Sequence, residues 1–465
     1  MVFSSNIFLF AFLPICLALY FAHSGKVYRN AILLCASLIF YAWGELQYLW
    51  LLLLSILGNY FFGLAIAKFS RKNLTIFVAV AFNLALLCYF KYANFLIENL
   101  NEIFGSKISN EKIRLPIGIS FFTFHAISYL IDIYRKKCAP QKNLFSLALY
   151  IAFFPQLIAG PIVRYNFIEK YLNKRRHSWN FAAHGIRRFI IGLGKKIIIA
   201  NPLGEIADAI FASQLSEINQ GLAWVGIIFY SLQIYFDFSG YCDMAIGLAR
   251  ICGFRFPENF NYPYISRSIK EFWRRWHMSL SAWFRDYVYI PLGGNRVSFG
   301  RQYLNLVLVF FLCGLWHGAS WNFVVWGLFH GTFLVFERIV KIEEILPKIV
   351  QHFYAILIVI IGWVFFRSVD LSYALGFLKI MFLGADAAIL VTSQISRLLN
   401  SHFAWMSFAL ALLGFSPLFK NFSRHLIRKN KNFGTAIDVF LVAILLLSVI
   451  RISAATHNPF IYFQF

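Results

Sequence analysis

The chain has 465 residues, of which 60% are hydrophobic and only 14% charged. A soluble domain is nearer half apolar and a quarter charged, so this composition excludes an ordinary water-soluble protein and points to lipid as the solvent. Lys and Arg number 43 against 20 Asp and Glu, a formal charge of +23. The basic residues fall in short segments between apolar runs, which marks cytoplasmic loops and argues against a nucleic-acid partner.

An α-helix rising about 1.5 Å per residue needs about 20 residues to cross a hydrocarbon core of about 30 Å. Read in chain order, apolar runs predict crossings at 7–23, 31–44, 47–67, 74–93 and 115–133. The first lacks a basic leader and a small-residue cleavage site, so it reads as a retained helix. Lys26 and Arg29 follow it, Lys68, Arg71 and Lys72 follow the third run, and Arg135, Lys136, Lys137 and Lys142 follow the fifth. Alternate loops are therefore basic, which places the N-terminus outside.

The segment 164–188 is basic again, so the apolar run 145–163 between two cytoplasmic stretches cannot cross. Its Phe154-Pro155-Gln156 and Gly160-Pro161 predict a re-entrant or interfacial piece, tolerable at that depth only when buried in protein or lining a wet cavity. Crossings at 186–203 and 222–249 come next, joined by 201–220, which carries Glu205, Asp208 and Glu217 without Lys or Arg. The strongly basic stretch 250–301 returns inside, 302–338 reads as a helical hairpin, and 352–368, 402–419 and 436–453 complete the set. The expectation is a single 1–465 domain, an all-α polytopic integral membrane protein. It has about 10–12 transmembrane helices, with re-entrant and interfacial helices, around a central funnel.

Seven cysteines, an odd count without a CxxC pair, predict neither disulfides nor a metal site. GxSxG, HExxH and P-loop patterns are absent. Ionisable residues inside apolar spans are therefore the candidates for chemistry. His317, in Cys313-Gly-Leu-Trp-His-Gly-Ala-Ser-Trp321, lies about 24 Å along a helix from Arg301. A neutral imidazole is the natural base for deprotonating a hydroxyl; the alternative is a buried histidine tied to a carbonyl. Gly314 and Gly318 leave room beside it for a backbone or a ligand.

His277 sits in Phe272-Trp-Arg-Arg-Trp-His-Met-Ser-Leu-Ser281. Lys270, Arg274 and Arg275 nearby suit the phosphates of an acyl donor, or else an amphipathic surface helix with Trp anchors. Asp237 falls mid-span, where a carboxylate needs a partner, and Lys195 or Lys196 can supply one. His125 and His330, also within spans, read as structural.

Six stretches together resemble the membrane-bound O-acyltransferase family, in its bacterial alginate/peptidoglycan O-acetyltransferase branch. They are LPIGISFFTFHAISYLIDIYR (115–135), FFPQLIAGPIVRY (153–165), YFDFSGYCDMAIGLAR (235–250), ENFNYPYISRSIKEFWRRWHMSLSAWFRDYVYIPLGGNR (258–296), GLWHGASWNFVVWGLFHG (314–331) and NPFIYFQF (458–465). Cys242 stands where that family usually carries Ser. The resemblance implies that His317 is the central catalytic histidine and His277 the second polar position. It implies a multi-pass enzyme of the bacterial inner membrane that holds no resident cofactor. Such an enzyme takes acetyl from a cytosolic thioester, acetyl-CoA, and hands it to a periplasmic SGNH-type partner that O-acetylates a polysaccharide. D-alanyl transfer toward teichoic acid is the alternative within the family. A proton-coupled transporter or flippase using His317 and Asp237 is the alternative outside it.

Overall fold

The structure is a computed structural model and describes residues 1–106, 108, 111–384, 393–430 and 432–454. The terminal motif 458–465 lies outside the described residues. Every regular element among the described residues is helical. Among the described residues, seven helices are long and apolar enough to cross a membrane, or eight if a bent pair is counted as one span.

The helices follow the expected runs with informative departures. Runs 31–44 and 47–67 fall in one apolar stretch, Lys26–Lys68. It breaks at Glu45, whose φ of −142° leaves the helical region. Its 43 residues extend to about 65 Å, enough for two crossings. Runs 7–23 and 115–133 give shorter apolar helices, Phe8–Ala22 and Ile119–Tyr134. The run 186–203 is helical but carries Arg187, Arg188, Lys195 and Lys196, too many charges to rank among the apolar spans. The run 402–419 is a pair, His402–Gly414 and Leu418–Leu426, bent by 76°. The hairpin has legs Phe299–His317 and Trp321–Val340.

Contacts divide the chain into two compact units, Met1–Phe189 with Cys242–Pro257, and Ile190–Tyr241 with Glu258–Phe465. In the first unit, helices without a hydrophobic driving force between them are joined by buried amides. Asn59 and Asn83 exchange hydrogen bonds of 3.0 and 2.8 Å between Leu49–Lys68 and Lys72–Phe104. Gly63 lets Tyr129 approach so closely that a Cβ there would lie 2.6 Å from the hydroxyl.

The run 145–163 is the expected non-crossing segment. It forms two short helices, Leu144–Ala152 and Phe154–Leu157, followed by irregular chain, and it is buried throughout from Leu147. Nine residues reach only about 14 Å. Its broken backbone is satisfied from within the protein, as depth in a membrane requires. The N–H of Phe154 donates to Ser37 Oγ at 3.0 Å, Gln156 donates to the carbonyl of Tyr150, and the Tyr150 hydroxyl reaches the carbonyl of Val163 at 3.0 Å.

In the second unit, the two hairpin legs meet through glycine. A Cβ on Gly314 would strike the carbonyl of Phe323, and one on Gly327 the carbonyl of Phe310, while their own Cα atoms face each other. The space that glycine leaves at Gly314 is thus taken by the opposite leg's backbone, and that at Gly318 by the Phe323 ring. A buried ion pair, Lys196 to Asp237 at 2.7 Å, joins the π-helical turn Lys195–Ala200 to the long helix Gln220–Ile251. This is the expected mid-span pair, with Lys196 supplying the ammonium.

Candidate active site

The site grows from the end of a helix. His317 is the last residue of Phe299–His317, and the chain leaves through Gly318 in extended conformation. The helix has 19 residues and spans about 28 Å, which puts His317 about 24 Å beyond Arg301, well past the middle of a hydrocarbon core of about 30 Å. Its ring is 4% exposed and packs edge-on against Trp316, Trp326 and Phe366, with centroids 4.8, 4.9 and 5.1 Å away.

His277 comes from a different local device. It joins two seven-residue helices, Ile269–Arg275 and Met278–Phe284, at φ 41° and ψ 54°. A non-glycine residue in that left-handed region is held there by its surroundings. The backbone N–H of Met278 donates to the Asn259 carbonyl at 2.9 Å. The Asn259 side-chain oxygen accepts from the Ser279 N–H at 3.1 Å and the Ser279 hydroxyl at 2.8 Å, and lies 3.1 Å from His277 Nδ1. An oxygen with those donors is an acceptor, so Nδ1 carries the ring proton and Nε2 the lone pair. Burial pushes the His277 pKa down to about 3, so the ring is neutral across the physiological range.

The two histidines are brought together on one tryptophan. Trp316 contacts His317 and lies 6.2 Å from His277, whose ring also meets Phe238 at 4.8 Å. Trp326 packs on His317, and Trp273, Trp276 and Trp363 pack on Trp326 and on one another, each of the four at most 7% exposed. The result is a buried aromatic enclosure for two imidazoles, where a neutral ring can act as a general base.

The donor-site candidates separate. Glu271 pairs with Arg275 at 2.8 Å, and Arg275 also donates to the Asn261 carbonyl at 3.0 Å. Burial works against ionising Glu271, but the Arg267 N–H and the Arg275 guanidinium outweigh it and hold the carboxyl below its usual range. Lys270 and Arg274 lie one turn apart with exposed side chains. Arg275 is therefore engaged, and Lys270 with Arg274 forms the available basic pair.

Of the two readings of this segment, the surface helix with Trp anchors is the one that the structure corrects. Phe272 is 1% exposed, Trp273 7% and Trp276 2%. These rings pack inward on Tyr264, Trp326 and Trp363. The cause is Glu337 of the second hairpin leg, which accepts both the Ile269 and Lys270 N–H groups and clamps the helix start inside the unit.

His330 is buried beside Trp273 and Trp326 and against Gly362, and His125 is buried in the other unit. Asn259, Trp316 and Glu337 were not singled out from sequence. Asn259 stands 18 residues before His277, and no spacing rule links them.

A model of the membrane-bound O-acyltransferase family matches residues 35–349, which contain both histidines. This chain belongs to that family. It is a multi-pass membrane acyltransferase and so works with an acyl donor. The probable alginate O-acetylase of Azotobacter vinelandii is 43% identical over the whole of both chains. The peptidoglycan O-acetyltransferase of Helicobacter pylori is 39% identical over 82% of this chain and 79% of its own. The teichoic acid D-alanyltransferase of Bacillus subtilis is 32% identical over 50% of this chain and 62% of its own. Both histidines, with Trp273, Trp276, Trp316 and Trp326, lie inside the matched part, and Trp363 and Phe366 of the enclosure lie just beyond it.

Proposed function

We propose that this O-acyltransferase moves acetyl from a cytosolic thioester, acetyl-CoA, toward the hydroxyls of an extracytoplasmic polysaccharide of the alginate or peptidoglycan class. A periplasmic SGNH-type acetyltransferase is the partner that completes the modification. Full-length similarity to an alginate O-acetylase is the observation that carries this reading. D-alanyl transfer is the weaker alternative because that relative aligns with only half of the chain.

In this reading His317 accepts the proton of the attacking hydroxyl. The oxygen adds to the thioester carbonyl, the C–S bond breaks, and the leaving thiolate takes the proton back from the imidazolium. His277, neutral and fixed in one tautomer, orients the reacting groups. Lys270 and Arg274 hold donor phosphate at the exposed end of the same segment, with Arg275 kept in place by Glu271. Donor and acceptor then approach from opposite faces through a central funnel.

The test is initial acetyl transfer in inside-out vesicles over a range of acetyl-CoA and salt. His317→Ala is expected to lose about 10²–10⁴ in maximal rate while accumulating normally in the membrane. Arg274→Ala is expected to raise the apparent Michaelis constant for donor, with the gap from wild type narrowing at high ionic strength as screening weakens the native contact. Wild-type turnover in His317→Ala removes the base assignment. A lower maximal rate with unchanged donor affinity in Arg274→Ala removes the docking role.

A further inference from the structure

In the first unit, well apart in sequence from the two histidines, a cavity of about 450 Å³ opens between helix ends. Ile66 closes it from Leu49–Lys68, Lys72 from the first turn of Lys72–Phe104, and Tyr134, Lys136, Lys137 and Cys138 from the end of Ile119–Tyr134 and the loop beyond. Three lysines therefore line one opening. Among the described residues, no carboxylate forms an ion pair with Lys72, Lys136 or Lys137.

The side chains of Lys136 and Lys137 are not needed to finish the helix they follow. The N–H groups of Arg135, Lys136 and Lys137 already cap the carbonyls of Ile131, Ile133 and Asp132 at 2.8–2.9 Å. Lys136 takes the left-handed position of that cap, φ 57°, where glycine is the usual and less costly choice. The Tyr134 hydroxyl donates to Asn73 at 2.8 Å, tying this loop to the start of Lys72–Phe104. That start is also the positive end of a 33-residue helix dipole.

Charge and position together identify the ligand. Both loops are among those that the positive-inside pattern assigns to the cytoplasm. Phe69, Leu74 and Phe77, flanking Lys72 in the chain, are each more than half exposed. A basic pocket at the end of spanning helices, with apolar surface beside it, fits a molecule that has a phosphate at one end and acyl chains at the other.

We propose that this cavity binds the head-group phosphate of an anionic phospholipid from the cytoplasmic leaflet. The site is independent of the acyl-transfer chemistry. The experiment uses the purified full chain, wild type and the triple variant K72Q/K136Q/K137Q. Lipid retained through detergent exchange is counted by native mass spectrometry, with phosphatidylglycerol, phosphatidylethanolamine and soluble glycerol 3-phosphate as separate arms. Wild type is expected to hold phosphatidylglycerol at least about tenfold more tightly than the triple variant, the loss scaling with the three charges removed. Phosphatidylethanolamine and glycerol 3-phosphate are expected to compete poorly. Equal phosphatidylglycerol binding by variant and wild type overturns the proposal. Equal binding of phosphatidylethanolamine overturns its charge selectivity, and tight binding of glycerol 3-phosphate makes the cavity a free-anion site and not a lipid site. If the triple variant does not accumulate, the single variants are measured in the same way, each expected to lose severalfold.

Discussion

Asn259 decides what His277 can do. Its oxygen collects the Ser279 N–H, the Ser279 hydroxyl and His277 Nδ1 at 3.1, 2.8 and 3.1 Å, which leaves Nε2 as the acceptor of a neutral ring. Asn259→Leu keeps the volume and removes the acceptor, so the ring loses its fixed tautomer. We expect acetyl transfer to fall about tenfold or more, with Asn259→Asp keeping more activity. The loss should vanish when His277→Ala is already present, because residues acting through one another are non-additive. An equal loss in both backgrounds would make Asn259 a packing residue alone. His317 and His277 stood out in the sequence through the motifs around them, and the structure brings both rings to Trp316. Asn259 did not stand out, since an asparagine in a loop has many ordinary roles and its partner is distant along the chain. The Trp273 and Trp276 rings were misplaced for a related reason. Alternating aromatic and basic residues read as a surface helix until Glu337, which binds its first turn from another element, is known.

At the scale of helices, buried polar contacts and close backbone approach set the arrangement. The hairpin 302–338 was legible because two apolar legs flank a glycine-rich turn. The facing of Gly314 and Gly327 was not, because either glycine alone is compatible with a ligand as neighbour. The Lys196–Asp237 pair was half legible: mid-span depth demanded a partner for Asp237, but two adjacent lysines were equally placed. With the side chains 4% and 2% exposed, desolvation is large for both, and each is tolerable only with the other. Asp237→Asn leaves an uncompensated ammonium in the interior, a loss of about 3–5 kcal/mol. Lys196→Met together with Asp237→Leu removes both charges and is expected to recover most of that stability. Thermal unfolding of the purified variants in detergent measures the difference. A double variant no better than the single one would show that the pair contributes geometry that apolar side chains cannot replace.

Across the whole molecule, the alternation of basic loops fixes a path that side-chain contacts can check. If 285–301 is cytoplasmic, Phe299–His317 runs outward, Trp321–Val340 returns, and Lys348–Arg367 runs outward again. Arg367 then ends on the outer side, where the acidic segment 201–220 was also placed. Arg367 pairs with Asp208 of that segment at 2.7 Å, so the two independent placements agree. At the other end of the hairpin, Arg338 donates to Gln302 at 3.1 Å, joining two residues assigned to the cytoplasmic side. The same path carries His317 to the outer end of its helix, where an extracytoplasmic hydroxyl would arrive. The prediction is that a compartment reporter inserted after Glu217 reports periplasm and one inserted after Arg255 reports cytoplasm. Gln220–Ile251 lies between them, 32 residues or about 48 Å of helix, more than one hydrocarbon thickness. If both reporters give the same compartment, that helix does not cross. If the two are reversed, His317 opens toward the cytoplasm, and the acceptor would have to reach it from the donor's side.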